Sequence, residues 1–117
     1  MIRIKRIYEP PSDTDGYRVL VDRLWPRGIS RENARIDAWL KEIAPGDQLR
    51  RWYGHDSTRW LEFREQYLGE LSEHPDIASE LRQRAKAVTV TLLFAAKDTE
   101  HNNAIALKEF LEHFEKE

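Results

Sequence analysis

The sequence predicts an α/β domain, a mixed or parallel sheet packed by helices, and three observations carry that prediction. Val88–Ala95 reads VTVTLLFA, β-branched and almost wholly apolar, as expected of a strand covered on both faces. Trp60, Phe63, Tyr67 and Leu71 recur at steps of three, four and four, one apolar stripe along a helix. The chain has 117 residues, 40% of them hydrophobic, which suits one domain over residues 1–117 with a single substantial core.

The elements follow in order. Ile2, Ile4 and Ile7 alternate with charges and predict a first strand, and Glu9–Gly16 carries the proline, aspartate and glycine of a loop. Tyr17–Asp22 reads as a second strand. The short link favours an antiparallel hairpin, with a parallel crossover as the alternative. Trp25-Pro26-Arg27-Gly28 breaks the strand, because Pro26 moves Trp25 out of helical geometry and Gly28 permits a turn. Ser30 caps a helical turn from Arg31. Ile36, Trp39, Leu40 and Ile43 follow helical spacing up to Pro45-Gly46, so periodicity favours a helix over 36–44. Asp47 caps a short helix through Trp52, and Ser57 or Thr58 opens the long one that bears the stripe. Pro75-Asp76 starts another, with Ile77, Leu81 and Ala85 on one side. After the Val88 strand, Lys97-Asp98-Thr99 turns the chain. A final helix runs from about Glu100 to Phe114, with Ala104, Leu107, Leu111 and Phe114 inward.

Composition excludes several chemistries. There is no cysteine, so thiolate catalysis, redox pairs and cysteine-bound metals are out, and a reducing compartment suits the chain. The absence of a long apolar run argues against a membrane span or signal peptide and places the chain in the cytoplasm. His55, His74, His101 and His113 lack metal-ligand spacing, so no metal and no cofactor is expected. A net charge of −2 argues against a dedicated nucleic-acid binder. Charge is unevenly spread all the same: eight Lys/Arg against five Asp/Glu over residues 1–35, and two against six over 98–117.

Candidate chemistry gathers where polar residues follow buried strands, the edge at which open α/β sheets bind ligands. After the second strand, Arg23 and Arg27 suit a carboxylate or phosphate, Gly28 lets a ligand approach the backbone, and Asp22 is a general base or an orienting partner. After the Val88 strand, Lys97 adds charge, Asp98 a carboxylate, Asn102 a polar contact and His101 a group that moves protons near neutrality. The structural alternatives are an Asp–Arg pair pinning the strand end and simple capping of the last helix by Asp98 or Thr99. A third stretch, Arg50-Arg51-Trp52-Tyr53-Gly54-His55-Asp56, mixes arginine with aromatic rings as base-stacking surfaces do, although Trp52 in the core and Asp56 as a helix cap explain it more simply.

The stretches VLVDRLWPRGISRENARIDAWLKEIAP, GHDSTRWLEFREQY and TLLFAAKDTEHNNAIALKEFL closely resemble the YeaO-like family, a bacterial domain of unknown function, over Ile2 to Leu111. The resemblance implies an α/β domain with the Asp22 and Leu93 strands in one sheet, and a strand, not a helix, at Ile36–Leu40. It adds Glu42 to the candidate polar residues. The family has no agreed reaction to carry over. Relatives in the wider superfamily often have a cysteine near Phe94 and a Cys-His-Arg triplet near Asn102, Asn103 and Ala104, all absent here. Close relatives often have histidine where Asn103 stands.

Two functions follow. One is a small enzyme or nucleotide-type binder, with Asp22, Glu42, Asp98 and His101 acting on a small anionic ligand held by Arg23, Arg27, Gly28, Lys97 and Asn102. The other is a non-catalytic interaction module whose polar cluster is structural. The concentration of polar groups at two strand ends favours the first.

Overall fold

The computed structural model describes residues 1–113. Among them, β1 (Ile2–Arg6), β2 (Tyr17–Leu20), β3 (Ala38–Trp39) and β4 (Val90–Phe94) form one sheet in the order β1-β4-β2-β3, and every neighbouring pair is parallel. The helices are α1 (Arg31–Ala34), α2 (Asp47–Tyr53), α3 (Trp60–Leu71), α4 (Pro75–Ala87) and α5 (Asn103–His113).

The apolar strand is the inner one. Every residue of β4 is buried. Val90, Leu92 and Phe94 enter the larger core with α3, α4 and α5, and Leu93 enters a smaller core with Ile7, Leu20 and Ala34. The strand starts two residues later than expected. Val88 still belongs to the end of α4, donating its N–H to the Arg84 carbonyl, and is 48% exposed.

The hairpin expected between β1 and β2 does not form. Both strands pair with β4, one on each side, so the link over residues 7–16 is a parallel crossover. It must retrace β1, about 17 Å, and cross two strand spacings, about 10 Å. Ten extended residues reach about 33 Å, so no helix is needed. What the short link does need is an anchor, and Asp15 supplies it. This residue is 2% exposed. Its carboxylate accepts from Lys5 Nζ at 3.1 Å and from Arg18 Nη1 at 2.5 Å, and its carbonyl accepts from Thr91 Oγ1 on β4 at 2.6 Å. Arg18, 5% exposed, goes on to donate to the Arg35 and Ala34 carbonyls at 3.1 and 2.7 Å, which ties α1 to the same point. Gly16 then passes against β4 with φ +66°, where an added Cβ would lie 2.2 Å from the Thr89 carbonyl oxygen. Only glycine fits that passage.

The helix that periodicity favours over 36–44 is also absent. Ala38–Trp39 is the edge strand β3, followed by a 3-10 turn at Lys41–Ile43, as the family resemblance implies. Asp37 N and Leu40 N donate to the β2 carbonyls of Arg18 and Leu20 at 2.7 and 3.0 Å. The apolar side chains divide between two cores, with Ile36 and Trp39 in the smaller and Leu40 and Ile43 in the larger. A helix would have aimed them at one.

The other helices keep their expected faces with shifted ends. Gly46 is the N-cap of α2, and Asp47 is its first residue. Ser57–Arg59 forms a 3-10 turn capped by Asp56 before α3 begins at Trp60. In α3 Phe63, Tyr67 and Leu71 are buried, and Trp60 packs partly buried beside them. Helix α4 buries Ala78 and Leu81, with Ile77 and Ala85 partly covered. Helix α5 begins at Asn103, not near Glu100, and buries Ala104, Leu107 and Leu111 as expected, together with Ala106 and Phe110. Phe114 lies outside the described residues. No helix among those described is long and apolar enough to cross a membrane.

Two outcomes follow. Phe63 is buried and stacks on Tyr53 at 4.2 Å between centroids, so Phe63→Ala should cost about 3–5 kcal/mol in urea melts; a loss under about 1 kcal/mol would contradict its place in the core. For Asp15, burial by itself raises the carboxyl, but the Ser12 backbone, Lys5 and Arg18 outweigh it and hold the group below the ordinary aspartate value. A carboxyl depressed in the folded state stabilises above its unfolded pKa, about 3.9, and that contribution disappears as pH falls through the folded value. Asp15→Asn is therefore expected to lose about 3 kcal/mol at pH 7, with the deficit narrowing below about pH 4. An equal deficit at pH 7 and pH 3 would contradict this.

Candidate functional site

After β2 the chain turns to the sheet face that carries α1, whose Ala34 lies in the smaller core. After β4 it turns to the opposite face, where α5 joins the larger core. The carboxyl ends of these two adjacent strands therefore frame a topological switch point, the crevice where open α/β sheets bind ligands. A cavity of about 450 Å³ lies there.

Three groups of residues surround it. The strand ends and the start of α5 contribute Asp22, Ala95, Ala96, His101, Asn102 and Asn103. The β1 and β2 exits contribute Tyr8 and the run Arg23–Arg27. The end of α2 contributes Arg50, Arg51, Tyr53, Gly54 and His55, with Phe63 behind it.

Asp22 is the junction. Its Oδ2 accepts from Ala95 N at 2.9 Å and its Oδ1 from Asn103 Nδ2 at 3.0 Å, while its carbonyl accepts from Trp39 Nε1 at 2.7 Å. The Asn103 amide also donates to the Val21 carbonyl at 2.9 Å. Both partners of that nitrogen are oxygens, which fixes the amide's orientation. One aspartate thus joins β2, β3, β4 and α5. Burial pushes its carboxyl above the ordinary value, against the pull of the Asn103 and Ala95 hydrogen bonds and the charge of nearby His55.

The other predicted residues divide into those at the cavity and those away from it. Arg23 lines it, but Nε donates to the Pro45 carbonyl at 3.1 Å and lies 3.8 Å from Asp47. Arg27 lines it with an exposed side chain that has no partner among the described residues, and Tyr8 Oη donates to its carbonyl at 2.7 Å. His101 lines it with Nδ1 3.0 Å from Asp98 Oδ2, its ring edge-on to Trp60 at 5.5 Å. Asp98 itself is not at the cavity. It accepts from Glu100 N and His101 N at 2.9 and 3.0 Å, and these bonds together with His101 hold its carboxyl below the ordinary value. Asn102 is buried and spent on structure, since Nδ2 donates to the Asp98 carbonyl and Oδ1 accepts from Ile105 N in the first turn of α5. Gly28, with φ +79°, makes the turn after the Arg27 segment without lining the cavity. Lys97 and Glu42 are exposed and away from it.

Sequence reasoning treated Arg50–Asp56 as a separate stretch, yet the fold delivers its basic residues here. Arg51 is exposed with no side-chain partner among the described residues, and Arg50 Nε is closed off from solvent without an acceptor. His55 follows Gly54 with φ +59° after +52°, two left-handed residues in succession. For a non-glycine residue that conformation costs about 1–2 kcal/mol. The Gly-His pair after two arginines was the available signal. Tyr8 and Asn103 carried none beyond their positions just past a strand and at a helix start. Among the described residues no group of three or more His, Cys, Asp or Glu is placed to hold a metal.

The model of a family described as the inactive DUF488-N3 subclade matches residues 1–117. The chain is also 44% identical over 110 residues to the uncharacterized protein YeaO of Escherichia coli, covering 94% of this chain and 96% of that one. The chain belongs to the YeaO-like family. Family resemblance extends to the uncharacterized protein Rv3073c of Mycobacterium tuberculosis, 38% identical over 94% of this chain and 92% of that one. No solved structure matches. The positions for which the resemblance implied cysteine, histidine and arginine in the wider superfamily, near Phe94 and Asn102–Ala104, lie at the end of β4 and the start of α5. In this chain Asn103 uses its amide to brace Asp22.

The Asp22–Asn103 contact is testable. In Asp22→Asn the new amide cannot accept from both Ala95 N and Asn103 Nδ2, so a loss of about 1–3 kcal/mol is expected. Asn103→Ala should lose a similar amount, and the double variant less than the sum of the two. Additive losses would show that the pair is not coupled.

Proposed function

We propose that this protein is a cytoplasmic binding module that holds a small anionic ligand in the strand-end cavity and performs no chemistry on it. The supporting observation is the convergence of Arg23, Arg27, Arg50 and Arg51 on a cavity with one lining carboxylate, Asp22. Two of those guanidiniums have no protein partner among the described residues. An anion entering between them gains charge-assisted hydrogen bonds without breaking existing ones.

The case against turnover rests on how the acid groups are used. Asp22 accepts two structural hydrogen bonds, Asp98 caps a turn, Asn102 is spent on the first turn of α5 and Asn103 on bracing Asp22. The family's own description as inactive agrees. An enzyme is the second reading, favoured by His101, which is oriented by Asp98 and turned to the cavity as an acid–base residue would be.

Titration of the intact protein with inorganic phosphate and pyrophosphate, followed by amide NMR shifts, tests the reading. Binding is expected to perturb residues 22–27, 50–55 and 101–103. Arg27→Ala and Arg51→Ala should each weaken it about three- to tenfold while leaving stability within about 0.5 kcal/mol. No perturbation at 10 mM (roughly the weak limit for such a site) would refute the anion site. Hydrolysis of any phosphoester or glycoside, abolished by His101→Ala, would establish the enzyme reading instead.

A further inference from the structure

The cavity is built of three materials, and together they describe a ligand more specific than an anion. We propose that the ligand is a nucleoside phosphate, its phosphate among the arginines, its base on the Tyr8–Trp25 surface and its hydrogen-bond donors on Asp22 and Asn103. The proposal rests on the anion-site reading above.

Size is the first argument. The cavity, about 450 Å³, equals about fifteen water volumes at roughly 30 Å³ each. Bare phosphate would leave most of it wet. Pockets of roughly 300–1,000 Å³ hold drug-sized molecules.

Its polarity is the second. Asp22 would repel a compact anion, so a purely anionic ligand makes poor use of that corner. Each Asp22 oxygen accepts one hydrogen bond and keeps a lone pair, and Asn103 Oδ1 accepts none among the described residues while its amide nitrogen donates to Val21 and Asp22. These acceptors call for N–H or O–H groups on the ligand. A molecule with an anion at one end and donors at the other is a sugar phosphate or a nucleoside phosphate.

The aromatic lining decides between them. Tyr8 is 40% exposed and lines the cavity, with Arg6 over its ring at 4.9 Å; Trp25 lines it with Arg31 over its ring at 4.6 Å and Nε1 tied to the Ile29 carbonyl at 2.8 Å. Each ring has one cation over it, and Trp25 also meets Trp39 edge-on at 5.4 Å. Flat, fixed aromatic surfaces suit a base, whose stacking on such a ring is sequence-tolerant and worth about a factor of ten in affinity. A sugar alone gains far less from them.

The test uses the intact protein in calorimetric titrations with inorganic phosphate, ribose 5-phosphate, adenosine, and the 5′-monophosphates of adenosine, guanosine, cytidine and uridine. At least one nucleotide is expected to bind tenfold or more tightly than ribose 5-phosphate. Tyr8→Phe, which loses the hydroxyl bond to the Arg27 carbonyl but keeps the ring, should retain that advantage, whereas Tyr8→Leu should remove most of it, and Arg51→Ala should weaken both phosphates equally. Its exposed position makes Tyr8→Leu compatible with folding, which a thermal melt checks. If ribose 5-phosphate binds as tightly as every nucleotide, the nucleoside assignment falls and the anion site stands. If no phosphate compound binds, both fall.

Discussion

The sheet is held together by one strand. β4 hydrogen-bonds to β1 on one side and β2 on the other, and β1 and β2 have no pairing of their own. β1 therefore joins the sheet only through residues 90–94, and β2, with β3 on its far side, reaches β1 only through the same strand. Because β4 is covered on both faces, its side chains are apolar or, at Thr91, hydrogen-bonded. Because its ladders are filled on both edges, the preceding crossover must run past its start, which is where Gly16 and Asp15 are found. The buried Lys5–Asp15–Arg18 group is a consequence of the same geometry. A ten-residue crossover whose one helical piece is the 3-10 turn Asp13–Asp15 buries little apolar surface beyond Ile7, so hydrogen bonds and charge fasten it.

The insertion of β4 also makes the site. Placing it beside β2 brings the exit of one strand against the exit of the other, and the two exits diverge to opposite faces. The gap between them exposes backbone N–H and C=O groups that the sheet no longer satisfies. The Asp22 and Asn103 side chains take up two of these groups, the Ala95 N–H and the Val21 carbonyl, while the Trp39 indole donates to the Asp22 carbonyl, and in doing so the two residues trade chemical freedom for cohesion. A carboxylate committed to two structural donors orients a ligand well and makes a poor proton carrier. The same contacts that stabilise the crevice thus favour holding over reacting.

Much of this was legible in the chain itself. The β-branched run at 90–94 and the Trp60–Leu71 stripe are local patterns whose period is set by backbone geometry, so they survive whatever they pack against. The Asp22–Gly28 and Lys97–Asn103 segments were visible because polar residues directly after a buried strand have few structural uses, although Gly28, Lys97 and Asp98 lie off the cavity. Ile36–Ile43 misled because its apolar positions serve two cores, and spacing records where side chains recur without recording what they face. Val88 misled because β propensity cannot tell the cap of a helix from the start of a strand.

The sequence by itself determined the class of fold, the inner strand, the helix faces and the exclusion of thiol chemistry, since each depends on residue type and short-range period. Tertiary structure alone decided that every strand runs parallel, that Asp15 and Arg18 are buried, and that Arg50, Arg51 and His55 share a cavity with Asp22. These rest on contacts between residues far apart in the chain, as far as Ile2 and Val90, or between charges that look solvated when read singly. Burial and the choice of partner exist only once the chain has closed on itself, and a run of letters carries no distance between its distant parts.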